Sequence, residues 1–116
     1  MNQYFYFCSG VYQQEFHEHL DAVKIAAEQA IKRQDLNEIY PVYMSDNFAH
    51  VVPDFSKAVA QMAWDILDTQ GYNVSNMETI VGEMWMQEHY RHSGMEQHVH
   101  PGAQMVGFYF LESPEN

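Results

Sequence analysis

The stretch WMQEHYRHSGMEQHVHPGAQMVGFYFL, residues 85–111, decides how the rest of the chain is read. At its centre His98 and His100 flank Val99, and Pro101-Gly102 turns the chain straight afterwards. In an extended segment, residues two apart point to the same face. Two imidazoles then project side by side and can converge on one metal ion or on one substrate.

Working outward, the period on both sides is that of strands. Between residues 77 and 91, Thr79, Val81, Trp85 and Gln87 share one face, and Ile80, Met84 and Met86 share the other. Both faces carry bulk, which predicts a strand covered on both sides and closed by Ser93-Gly94. Downstream, residues 104–111 predict a last strand, with Gly107 where a neighbour comes close and Glu112-Ser113-Pro114 at its end.

Further upstream the period becomes helical. Pro53-Asp54 opens a helix over about 54–70, with Asp54 as its N-cap. Phe55, Val59, Met62, Ile66 and Leu67 form its apolar stripe, and Gly71 stops it. An earlier helix spans about 13–33, where Phe16, Leu20, Val23, Ala27 and Ile31 make one stripe. Ala22, Ala26 and Ala30 support it by propensity. Between the helices, Pro41 and Ser45-Asp46-Asn47 are turn signals around a short strand at Val42-Tyr43-Met44. Tyr4-Phe5-Tyr6-Phe7-Cys8 suits a first strand. The order is strand, helix, helix, then at least two strands, which makes an α+β fold with helices segregated from the sheet.

A chain of 116 residues is enough for one domain and too short for two, so residues 1–116 are read as a single domain. The formal net charge of −11 argues against nucleic acid or an anionic membrane as partner, because like charges repel. Cys8 is the only cysteine, so no intrachain disulfide forms. A lone thiol, no long apolar run and no signal-peptide pattern make a cytoplasmic setting the default expectation.

Seven histidines need sorting. His17 and His19 repeat the spacing of the central pair, but in a helix residues two apart diverge by about 200°. They are expected to be solvated rather than to share an ion. His50 stands alone as a helix-flanking polar residue. His89 and His92, three apart across a strand end, fall on opposite faces. His98 and His100 remain as candidate metal ligands, since imidazole suits iron, zinc, copper and nickel. A protein site usually needs three ligands. Glu96, Gln104, Glu83 and Glu88 are all within sequence reach, and none has a forced geometry.

The string HVHPGAQMVGFYFL, residues 98–111, preceded by WMQE at residues 85–88, resembles the 2-oxoglutarate/Fe(II)-dependent oxygenase family of marine phages and bacteria. Tyr40-Pro41-Val42 and Gln70-Gly71-Tyr72 also resemble that family. The resemblance implies a double-stranded β-helix, or jelly roll, with two packing helices. It implies Fe(II) as cofactor, 2-oxoglutarate as cosubstrate and hydroxylase-type dioxygenase chemistry. By position, His98 is the first iron ligand and His100 takes the place of the usual aspartate, so three-histidine ligation is the simplest version. The family's distal histidine and its basic cosubstrate-binding residue follow further strands, whereas this chain ends at Asn116. A jelly roll has about eight strands. The chain is therefore expected to be the N-terminal half of such a domain, incomplete and inactive alone. Open strand edges then predict a homodimer or higher homo-oligomer.

Two other readings compete. Cupin-like metal proteins also use His-x-His followed by glutamate, but here Gln104 holds that place. A non-enzymatic β-sandwich would use Trp85, Phe108, Tyr109 and Phe110 as core.

Overall fold

The computed structural model describes residues 10–33 and 39–113. The expected first strand around Cys8 lies outside them.

Helix α1 spans Leu20–Ala30 and α2 spans Pro53–Thr69. Pro53 stands at the first position of α2, where its missing N–H costs nothing. The N-cap is therefore Val52, without a side-chain cap, and not Asp54 as expected. Asp54 instead places its charge in the first turn, at the positive end of the helix dipole. The far end closes as expected. Gly71 adopts φ +95°, Tyr72 N–H donates to Leu67 O at 3.1 Å, and Gly71 N–H donates to Asp68 O at 3.0 Å. Those two bonds form a Schellman motif, whose left-handed residue favours glycine.

Helix α1 is shorter than its stripe predicts. Phe16 is non-helical (φ −128°, ψ 54°), and a single 3-10 turn, His17–His19, leads into the α-helix. At the other end Ile31 turns extended and, with Lys32, forms strand β1 (Ile31–Lys32). Lys32 and Arg33 are held there by partners beyond the helix. Lys32 Nζ meets Asp46 at 2.6 Å, and Arg33 donates to Glu88 from Nε at 3.0 Å and Nη2 at 2.7 Å.

Strand β2 is Val42–Ser45 and β3 is Gln87–His89. The open sheet runs β1-β2-β3, antiparallel throughout, with Lys32 opposite Met44 and Tyr43 opposite Glu88. Two helices beside this sheet make the fold α+β. The ladder covers only the end of the expected 77–91 strand. Ser45 Oγ accepts from Met86 N–H at 2.7 Å, and Asn47 Oδ1 accepts from Met84 N–H at 3.0 Å. Side chains thus take donors that a regular strand would give to carbonyls. Ile80, expected to be covered, is exposed. The stretch 104–111 alternates as expected but belongs to no ladder: Tyr109 and Leu111 pack on the core while Val106, Phe108 and Phe110 face outward.

The core gathers Phe16, Val23, Ala26, Ala27, Phe48, Val52 and Phe55, with Val59, Met62, Met84, Met86, Tyr109 and Leu111 packed around it. Phe55 meets Phe16 edge-on at 6.0 Å and Tyr109 at 4.6 Å between ring centroids. Tyr109 O–H donates to Phe16 O at 2.5 Å, and burial pushes its hydroxyl above its usual titration range. After α2 the chain folds back. Trp64 Nε1–H donates to Val74 O and Met77 O, both at 3.2 Å, and Thr79 O–H donates to Ala60 O. Among the described residues, no helix is long and apolar enough to cross a membrane.

Truncating Phe55 to alanine empties the centre of this cluster. Phe55→Ala is expected to cost about 3–5 kcal/mol, measured by urea unfolding. A loss below about 1 kcal/mol would mean that the cluster does not hold the fold.

The ion pair across the sheet makes a separate prediction. Hydrogen bonds from Arg33, and secondarily from Tyr90, hold the Glu88 carboxyl below its usual 4.5. The unfolded chain therefore binds the proton first as pH falls, so this pairing is fully present above about 4.5 and is lost as pH drops through the lowered value. Melting curves should show an acid limb that is reduced in Glu88→Gln. An identical limb in the variant would remove Glu88 as its cause.

Candidate functional site

His98 and His100 come together as the two-residue spacing implies. Their ring centroids are 4.9 Å apart and the rings are inclined by 73°. The turn that follows has a defined cause. Ala103 N–H donates to His100 O at 3.2 Å across Pro101-Gly102, and Gly102 adopts φ +81°. Proline second and a left-handed glycine third are the residues of a type II turn.

Each ring has its own support. His98 Nδ1 lies 2.7 Å from Glu96 O. A carbonyl only accepts, so Nδ1 carries the proton of this bond, and in the neutral ring the lone pair is then on Nε2. Metal-binding histidines are oriented in this way. His100 is half-buried and tilts against the Trp85 indole, at 5.6 Å and 41°.

The ring separation matches that of two imidazoles on one ion. With nitrogens about 2.0–2.1 Å from one metal, two imidazole centroids stand about 4.5–5.2 Å apart for angles between octahedral and tetrahedral. The observed 4.9 Å falls inside that range. Two imidazoles thus stand side by side. Among the described residues, no three His, Cys, Asp or Glu side chains stand close enough to hold an ion.

The sequence candidates for a third ligand separate clearly. Glu88 is engaged by Arg33 and by the Tyr90 hydroxyl. Glu96 contributes its backbone carbonyl to His98, and Gln104 is exposed. Glu83 lines the same groove as His100.

That groove, about 370 Å³, is formed by Met44, Ser45, Asn47, Glu83, Trp85 and His100. Asn47 builds its wall: Oδ1 accepts from Ala49 N–H and from Met84 N–H, both at 3.0 Å. It thereby joins the end of β2 to the segment carrying Glu83 and Trp85. In sequence, Asn47 is only part of a turn signal. Its partner lies 37 residues on, and no local pattern announces that. Trp85 is legible as a strand residue, but not as the support of an imidazole fifteen positions later.

The remaining histidines stand apart from the groove. His17 is exposed beside Glu15 at 3.2 Å. His19 is not solvated as expected: it is half-buried, 5.6 Å from the Phe55 ring and 6.2 Å from that of Phe16. His50 sits exposed in the 3-10 turn Ala49–Val51. His89 Nε2 pairs with Gln87 Oε1 at 3.0 Å. His92, at φ +67°, packs edge-on to Tyr40 at 5.7 Å.

Comparison of the chain with protein-family models, with curated proteins and with solved structures gives no match.

Asn47→Ala removes an acceptor shared by two backbone donors. It is expected to cost about 1 kcal/mol or more and to broaden the amide resonances of Met84 and Trp85. Unperturbed resonances there would show that Asn47 does not hold the groove wall.

Proposed function

We propose that this chain is a metal-binding part of an Fe(II)- and 2-oxoglutarate-dependent, hydroxylase-type oxygenase with jelly-roll architecture, and that His98 and His100 are two of its iron ligands. One observation carries the reading. The two rings stand 4.9 Å apart, and the Nδ1 proton of His98 is committed to Glu96 O, so Nε2 is free to bind a metal. The sequence resemblance independently points to the same pair.

Bound iron supplies one-electron and O2 chemistry. The chain's own residues position and shield. Trp85 limits rotation of His100, the Pro101-Gly102 turn sets where the pair ends, and Asn47 holds the groove wall. The cosubstrate is a different matter. No lysine or arginine lines the groove, whose one basic side chain is His100, so an arginine or lysine that would pair with a 2-oxoglutarate carboxylate is not among its residues.

The jelly-roll reading draws on the antiparallel open sheet and on the uncharged stretch 104–111. Phe108 and Phe110 are 81% and 80% exposed there. An antiparallel strand can pair with its own copy about a two-fold axis, so the chain is proposed to form a homodimer or higher homo-oligomer. A reducing cytoplasm is the compartment that fits a lone cysteine.

Anaerobic titration with Fe(II), or with Zn(II) as surrogate, tests the site. His98→Ala and His100→Ala should each weaken binding by more than the roughly 10- to 100-fold that loss of an outer-shell partner costs. Equal affinity in His98→Ala would remove both the oxygenase and the cupin-like readings and leave the β-sandwich. Light scattering after size exclusion tests the assembly. A dimer or larger species is expected, and a clean monomer would overturn it.

A further inference from the structure

We propose that the groove beside His100 takes an organic cation: an alkylammonium or guanidinium group on a flexible chain, such as a basic side chain of a protein substrate. The proposal rests on the reading of His98 and His100 as a metal centre only in making this cation the substrate's group. The groove itself supplies the binding groups.

Its walls are chemically uneven. Trp85 and Met44 supply an indole and a thioether, Glu83 supplies a carboxylate, and Ser45 and Asn47 complete the polar rim. A cation over an indole face is attracted by the ring's quadrupole, most strongly for tryptophan. Methionine adapts its shape to a flexible aliphatic stem. A carboxylate in the same groove completes the usual elements of ammonium or guanidinium recognition. The volume of about 370 Å³ lies at the lower end of small-ligand sites, which suits one side chain better than a folded surface.

Charge excludes the other occupants. Lys24, Lys32 and Arg33 are each paired with acids elsewhere, and Lys57 and Arg91 do not line the groove. Among the described residues Glu83 makes no ion pair. An anion entering here would meet the Glu83 carboxylate with the His100 imidazole as the one basic group beside it, in a chain of net charge −11. A purely apolar group would offer the Glu83 carboxylate no partner while displacing water from beside it, which is costly. A cation neutralises Glu83 and also uses the indole. Asn47 Oδ1 is already spent on Ala49 and Met84, so Glu83 is the groove's free anionic acceptor.

The test uses N-acetyl-arginine amide and its neutral isostere N-acetyl-citrulline amide. Both are titrated into the whole chain in the presence of a chelator and followed by amide and indole NMR shifts. The arginine probe is expected to shift Glu83, Trp85 and Met44 saturably and to bind about 10-fold or more tightly than citrulline. Glu83→Gln, at an exposed position, should erase most of that preference while keeping the folded spectrum. Equal binding of the two probes, no binding of either, or an unchanged preference in Glu83→Gln overturns the proposal. Because metal is absent throughout, failure here leaves the metal titration untouched. Loss of metal binding, conversely, leaves this result standing.

Discussion

The contact on which the rest depends is Phe55 against Tyr109, 4.6 Å between ring centroids. Phe55 belongs to the start of α2, and Tyr109 to the stretch that follows the histidine pair. Nothing in a ladder holds that stretch, so aromatic burial and the Tyr109 hydroxyl on Phe16 O are what fix its position. The His100 support at Trp85 comes from the other direction, through Asn47 and the β2 end. The site is thus suspended between two anchors, one apolar and one made of hydrogen bonds.

This arrangement explains how much could be read in advance. The helices were legible because their stripes repeat every three or four residues and their ends carry strong signals. Pro53 and Gly71 mark α2 almost to the residue. The two-residue spacing of His98 and His100, closed by Pro101-Gly102, is equally local, and their rings do come together. Strand extents were not legible, because pairing is decided by a distant partner. Ser45 and Asn47 replace carbonyls as acceptors, and a regular ladder stops where they begin. His19 resisted reading for a related reason: its histidine spacing suggests solvent, but Phe55, far along the chain, offers it an aromatic face.

The groove falls between these cases. Trp85 and Glu83 lie on one segment, whereas Met44, Ser45 and Asn47 lie on another. Only the antiparallel register that sets Met44 opposite Gln87 puts them side by side. The sequence therefore shows a candidate pair of ligands but not the space in front of them. That space holds the Glu83 carboxylate beside the Trp85 indole and the His100 imidazole.

The hydrogen bond from Tyr109 to Phe16 closes a separation of 93 residues, and the Phe55–Tyr109 packing closes another long span. Such closures cost chain entropy before they return any contact energy, and folds dominated by them form slowly. The helices and the Pro101-Gly102 turn can form on their own; the groove cannot. A ribosome-bound chain emerging in order would already carry both helices while His100 still lacked a fixed place against Trp85. The groove beside His100 is accordingly a feature acquired at the last step of folding.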